Sequence, residues 1–293
     1  MHFDPDHLAA LTAILRRGSF DAAAHELAIT PSAVSQRIKA LEERVGATLI
    51  NRGPPCTATQ TGERLAKHAE NIGLLEAQLA RELRLEQSGE TRLRIAVNAD
   101  SLATWFIPAL AKVPGILFEL VIDDQDHSAD WLKRGEVSAA ITASAPAVTG
   151  CDATPLGSLR YFATASPEFA ARWFPDGVTA PALAKAPCLV FNAKDALQRL
   201  WLETQTGRRL SPPSHTIPST HAFIDAARAG LGWGMNPEIL LQGPLERREL
   251  IDLSPGQPLD VALSWQVSRV MAPALADLTA AVKRAARDRL RQT

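Results

Sequence analysis

The sequence predicts an α + α/β chain: an N-terminal winged helix-turn-helix, one long linker helix, then a two-lobed α/β domain. Three observations predict it. Phe20–Lys39 reads as two short helices around a tight turn, with turn and capping residues where such a pair needs them. The stretch after Thr59 holds a long apolar seam at helical spacing. Beyond about Glu90 short apolar strands alternate with amphipathic helices, the pattern of an α/β domain.

The first element predicted is a helix over Asp6–Arg16, with Leu8, Leu11 and Leu15 inward. Ser19 is placed to cap the next helix through its hydroxyl, and Ala23 and Leu27 share one face of it. Ala28 and Ile29 make the corner. Thr30 stands at an N-cap and Pro31 at the first helical position, where a missing N–H costs nothing. Val34, Ile38, Leu41 and Val45 form the buried stripe of the third helix, and Gly46 ends it. Its other face carries Ser32, Ser35, Gln36, Arg37 and Lys39, hydrogen-bonding groups able to reach bases and phosphates in a major groove. An amphipathic helix with a merely solvated polar face is the plainer alternative. The flanks favour the DNA reading: Ala47–Arg52 and Cys56–Thr59 bracket Gly53-Pro54-Pro55 as a hairpin wing, with Arg52 near its tip for a phosphate or a minor groove.

Thr59 is expected to cap a helix running to about Gln87. Leu65, Ile72, Leu75, Leu79 and Leu83 lie along one side of it, with Arg81, Glu82 and Glu86 nearby. The seam suits pairing with a second copy, or packing on its own domain. The formal net charge of −1 is low for a DNA binder, but Arg37, Lys39, Arg44, Arg52, Arg64 and Lys67 concentrate basic charge in the N-terminal part, opposed there by Glu42, Glu43 and Glu63. Double-stranded DNA is therefore the expected partner, held by a few phosphate contacts and weakened by salt.

Downstream, strands are predicted at Leu93–Val97, Ile116–Ile122 and Val137–Thr142, with helices at Ser101–Lys112 and Ala129–Arg134, which argues for a parallel sheet. A second unit follows: Phe162–Ala165, Pro167–Trp173, Cys188–Phe191, Ala196–Thr206, Thr216–Ile217, Thr220–Ala229 and Gly232–Met235. Val261–Val267 then leads into a C-terminal helix, Pro273–Leu290. Ligands in such folds sit beyond the carboxyl ends of strands, near helix N-termini. Three stretches qualify. Asn98–Ser101 with Thr104 follows the first strand, where Asp100 or Ser101 could equally be a simple cap. Asp123-Asp124-Gln125-Asp126 follows the second strand and reads either as a cation site or as a solvated acidic loop. Pro218-Ser219-Thr220 precedes the helix carrying Phe223, and Phe191-Asn192 could join it.

The N-terminal segment resembles the LysR-type transcriptional regulators. The matching residues are Ala22-Ala23-Ala24, Leu27, Thr30 through Ser35, Ile38-Lys39, Leu41-Glu42, Gly46, Leu49, Arg52 and Thr59 to Gly62. Val97 through Trp105, Leu132 through Val137 and Phe174 through Thr179 are similar to the ArgP/LysG-like branch, regulators of basic amino-acid export and metabolism. The resemblance covers the whole chain. It implies a winged module over 1–59, a linker helix over 60–90, and an effector domain of periplasmic-binding-protein-like architecture. Lobe I would be 91–160 with 266–293, and lobe II 161–265. It implies a homodimer through the linker helices, a tetramer through the effector domains, contact with RNA polymerase, and L-lysine or L-arginine as effector. Asp100, Asp123 and Asp124 would accept from the ligand's cations. Hydroxyls of Ser101, Ser219 or Thr220, with helix-terminal amides, would meet its carboxylate.

No cofactor is expected. Enzyme signatures are missing: no G-x-S-x-G elbow, no H-E-x-x-H, no phosphate loop. Gly230-Leu231-Gly232-Trp233-Gly234 follows a helix and enters a strand, the reverse of a dinucleotide site. Cys56, Cys151 and Cys188 are too dispersed for a metal or disulfide framework. No apolar run reaches the ~20 residues of a membrane span, and the acidic start MHFDPDH lacks a signal-peptide core, so a cytoplasmic protein is expected. Two rivals stand beside a regulator set by a basic amino acid: a LysR-type regulator of another metabolite, and a sequence-tolerant nucleoid-type DNA binder.

Overall fold

The structure is a computed structural model that describes residues 2–83, 85, 91–123, 128–143 and 146–292, with the backbone only at Arg81. Three helices open it: α1 (Pro5–Arg17), α2 (Phe20–Glu26) and α3 (Pro31–Val45). Each is fixed by local chemistry. Asp4 Oδ1 accepts from Asp6 N (2.9 Å), Ser19 Oγ from Ala22 N (3.2 Å) and Thr30 Oγ1 from Ala33 N (3.1 Å). Gly18 and Gly46 close α1 and α3 in the left-handed region, at φ 74° and 75°. Val34, Ile38 and Leu41 are fully buried with Leu11 and Ile14, each contributing about 1.5–3 kcal/mol of burial. Val45 is only half-buried. The wing is shorter than predicted: β1 (Ile50–Asn51) pairs antiparallel with β2 (Thr57–Ala58).

Thr59 caps α4 (Gln60–Glu82), its Oγ1 accepting from Gly62 N at 3.1 Å. The helix ends short of the predicted Gln87; Glu86 and Gln87 lie outside the described residues. The apolar seam divides. Leu65 and Ile72 pack on the N-terminal core, whereas Leu74 packs into the core of the α/β domain. Leu75, Leu79 and Leu83 are exposed, at 39%, 54% and 59%.

The α/β domain begins with β3 (Thr91–Val97). A helical segment follows as α5 (Ala99–Ser101), a π-helical stretch (Leu102–Phe106) and α6 (Ile107–Leu110). Next come β4 (Ile116–Ile122), α7 (Ser128–Lys133), β5 (Ala139–Ala143), β6 (Cys151–Ala165), α8 (Pro167–Trp173) and α9 (Ala180–Leu183). After these are β7 (Cys188–Val190), α10 (Leu197–Thr206), β8 (Ser214–Thr216), α11 (Thr220–Arg228), β9 (Gly234–Pro237) and α12 (Glu238–Glu246). The chain closes with β10 (Ile251–Asp252), β11 (Leu259–Ser268) and α13 (Ala276–Arg289).

The sheet is mixed, not parallel as predicted. β3 runs parallel to β4 and β5, but β11 is antiparallel to β5 and to β6, and β6 is antiparallel to β9 and β10. The crossover pattern sees only β3, β4 and β5. The antiparallel β6–β11 ribbon joins strands about a hundred residues apart, and no local period encodes that. β7 and β8 form a separate parallel pair, tied to the main sheet's side by a bridge from Cys188 to Trp233. One apolar core extends through both ends of this arrangement, from Leu93, Trp105 and Phe106 across Tyr161 and Trp265 to Trp201 and Trp233. A glycine is required at one point of it. Gly157 has φ 107°, and a Cβ there would stand 2.6 Å from the Arg291 carbonyl, where the C-terminal residues pair with Ser158.

Candidate functional sites

The N-terminal surface presents α3. Thr30, Pro31, Ser32, Gln36 and Lys39 are exposed and Ser35 is half-buried, because the residues between them face the core. Arg37 turns back to α1 and pairs with Asp6 at 2.8 Å. Lys39 sits 3.8 Å from Glu43, both well exposed. Arg52 follows β1, with its guanidinium carbon 5.1 Å from the Phe20 ring centroid. The basic cluster is smaller than the sequence suggests. Lys67 is buried against Glu70 (3.1 Å), and desolvation lowers its pKa despite that carboxylate, so it does not face DNA. Glu42 does not oppose the basic face freely either: its Oε1 accepts from Leu49 N at 2.8 Å and fixes the approach to the wing.

The second site is a cleft beyond the carboxyl ends of β3 and β4. Asn98, Ala99, Asp100 and Asp123 line one side. Phe191, Asp195, Leu197, Thr220, Phe223, Met235, Asn236 and Pro237 line the other. Three of these residues are aspartates and none is Lys, Arg or His. Asp100 bridges the two sides: its Oδ2 accepts from the hydroxyl of Tyr161, the chain's single tyrosine, at 2.8 Å, and its Oδ1 from Thr220 Oγ1 at 2.7 Å. Asp123 Oδ2 accepts from Trp131 Nε1 at 2.9 Å, and Oδ1 lies 2.9 Å from Lys194 Nζ. Asp195 accepts from Phe191 N (2.8 Å) and Leu197 N (3.1 Å), which shapes the loop before α10. Asn236 is fully buried. Its Nδ2 donates to Thr164 Oγ1 at 2.9 Å, while no protein donor among the described residues meets its Oδ1.

Of the residues the sequence singles out, the fold brings Asn98, Asp100, Asp123, Phe191 and Thr220 together. Four others stand differently. Ser101 lies inside the first turn of the helix, fully buried, and caps nothing; Asp100 is no cap either, since the N-cap position is Asn98, without a side-chain bond. Thr104 donates to the Asp100 carbonyl, one helical turn back, at 2.5 Å. Ser219 caps α11 through Ala222 N. Asp124 lies outside the described residues, with Gln125 and Asp126. Asp195, Asn236 and Lys194 are not among the residues the sequence singles out. Asp195 reads as a helix-start residue, and Asn236 carries a faint signal as the one polar side chain between Met235 and Pro237 in an apolar strand.

The three cysteines are free, and burial pushes the Cys188 thiol up to about 11. No metal-binding group of His, Cys, Asp and Glu occurs among the described residues, and no described helix is long and apolar enough to cross a membrane.

Residues 5–63 match the family of bacterial regulatory helix-turn-helix proteins, lysR family, and residues 86–287 match the LysR substrate binding domain. The chain is 44% identical over 284 residues to the HTH-type transcriptional regulator LysG of Mycobacterium tuberculosis H37Rv, covering 97% of this chain and 93% of that one. The crystal structure of ArgP from Mycobacterium tuberculosis superposes with a TM-score of 0.82 at 43% identity, over the full length of both chains. Full-length LysG from Corynebacterium glutamicum with bound effector Arg gives a TM-score of 0.68 at 38% identity, over 99% of this chain and 100% of that one.

Proposed function

Because this chain belongs to the LysR family of bacterial helix-turn-helix regulators, we propose that it is a sequence-specific DNA-binding transcriptional regulator set by L-lysine or L-arginine. It would control genes of basic amino-acid export or metabolism. The observation that carries the effector class is the cleft: three aspartates line it against one nearby cation, Lys194, and Asn236 adds a buried amide oxygen that no protein donor among the described residues meets. With carboxylates in excess of cations, such a site disfavours a free carboxylate without a cation attached and favours a ligand with two positive groups. The bound arginine of the Corynebacterium glutamicum relative supports the same class.

Asp123 and Asp195 would accept from the effector's cations, with Asn98 and Asn236 as neutral acceptors or donors and Phe191 covering the aliphatic stem. Asp100 and Thr220, already bonded to each other, would hold the two sides of the cleft in register. Ser101, Thr104 and Ser219 are left as structural residues. At the other end, Thr30, Pro31, Ser32, Ser35, Gln36 and Lys39 would read or flank base edges, and Arg37 and Arg52 would meet phosphates. The partition proposed is a winged module over 1–59, a linker over 60–90, lobe I over 91–160 with 266–293, and lobe II over 161–265. The exposed row Leu75, Leu79, Leu83 supports a homodimer through α4. A tetramer, contact with RNA polymerase and a cytoplasmic location follow the family. Effector and DNA would be coupled because the ligand binds one arrangement of subunits more tightly than another.

Isothermal titration with L-arginine, L-lysine and L-leucine tests the effector. Binding of a basic amino acid alone upholds it, and binding of leucine or of none removes it. Footprinting on a promoter against competitor DNA tests the regulator, since a nucleoid-type binder protects no discrete site.

A further inference from the structure

Asp123 is met by a cation that the chain itself supplies. Lys194 Nζ stands 2.9 Å from Asp123 Oδ1, across a sequence separation of 71 residues. Asp123 follows β4 on one side of the cleft, and Lys194 lies in the segment between β7 and α10 on the other. That segment is held at its backbone. Asn192 Oδ1 accepts from Lys194 N at 2.7 Å and from Asp195 N at 3.1 Å, and the Asp195 carboxylate clamps Phe191 N and Leu197 N. The tether is short and its origin fixed, while the Lys194 side chain is 47% exposed, so water can replace Asp123 as the partner of its ammonium. Its chemistry, a primary ammonium on a four-carbon stem, is that of the L-lysine side chain.

We propose that Lys194 is a tethered competitor for the effector's side-chain cation and sets the effector concentration at which the cleft fills. The proposal rests on the basic amino-acid reading above. An arriving cation exchanges one ion pair on Asp123 for another, so observed affinity falls by the fraction of time the internal pair is closed. A half-exposed pair is weak, which makes it a threshold and not a block. A neutral amino acid brings nothing to exchange.

The test is calorimetry of the full chain with L-arginine and L-lysine, comparing wild type with Lys194→Met. The variant should bind about two- to fivefold tighter, the range a half-exposed ion pair supplies. Binding by wild type with equal or weaker binding by the variant overturns the competitor and leaves the effector reading standing. Binding by the variant alone upholds both. Binding by neither removes both. A second measurement reads the exchange directly: acylation of the Lys194 amine by an N-hydroxysuccinimide ester, followed by mass spectrometry. The rate should rise when L-arginine saturates the wild-type chain, and a bound chain whose Lys194 labels at the unliganded rate overturns the proposal.

Discussion

Replacing Gly62 by alanine adds one methyl group where the first turn of α4 presses on the wing. A Cβ at Gly62 would stand 2.0 Å from the Leu49 carbonyl oxygen and 3.0 Å from its carbon. Both obstacles are backbone, so no side chain can swing away; the wing and α4 must separate by about 1 Å, an overpacking that costs about 1–3 kcal/mol. The Leu49 carbonyl also accepts from Thr59 N at 3.0 Å, and Thr59 Oγ1 donates to Thr48 O at 2.8 Å. Straining these bonds adds about 1 kcal/mol, and the helix propensity gained by alanine returns about 1 kcal/mol. The expected net is about 2 kcal/mol, concentrated where the wing meets the linker. Hydrogen exchange read over residues 47–66 should show about thirtyfold faster opening. Specific DNA binding should weaken in parallel, because Arg52 moves with the wing. Unchanged protection and unchanged affinity would refute the claim that this contact positions the wing.

Gln36→Ala should weaken specific DNA more than random duplex, by about 1–3 kcal/mol on the specific site, whereas Arg52→Ala should weaken both and flatten the salt dependence; equal losses for Gln36→Ala on the two duplexes would remove it from base readout. Leu79→Glu places a charge in the exposed row of α4, and light scattering should find a smaller oligomer; an unaltered mass would put the dimer elsewhere. Asn236→Leu deletes the buried amide oxygen, and L-arginine affinity by calorimetry should fall about tenfold, the worth of one hydrogen bond to a charged group; wild-type affinity would take Asn236 out of the site. Tyr161→Phe removes the donor to Asp100 and should cost about 1.5–3 kcal/mol in urea unfolding, and a loss below about 0.5 kcal/mol would mean that other partners carry Asp100.

The winged module is legible because its signals are local. Ser19, Thr30 and Gly46 act within a turn of where they stand, and the sequence needs no distant partner to place them. Two α/β elements, Ile116–Ile122 and Pro167–Trp173, match their predicted bounds for the same reason. The first half of β6 was unreadable because Pro155 and Gly157 look like strand breakers. The structure uses them at an irregularity, where the register with β11 shifts between Leu263 and Ser264. In the cleft, Asn98, Asp100 and Asp123 could be found because residues just past parallel strands face a ligand crevice. Asp195 and Asn236 could not, since loop and strand bring them in from the far side through tertiary pairing alone. Ser101 and Thr104 misled because helix geometry turns one inward and spends the other on its own backbone.

The Trp131–Asp123 hydrogen bond has an optical consequence. Of the chain's six tryptophans, Trp105, Trp201, Trp233 and Trp265 are sealed in the core, and Trp173 stacks against Phe169 and Arg172 on α8. Trp131 alone has its indole N–H on a carboxylate of the cleft, with the guanidinium carbons of Arg134 and Arg94 at 4.9 and 5.6 Å from its ring. Any change of charge at Asp123 is felt by that ring's excited state. The emission spectrum of the unlabelled protein is thus a built-in gauge of what occupies the cleft, readable on DNA as well as free of it.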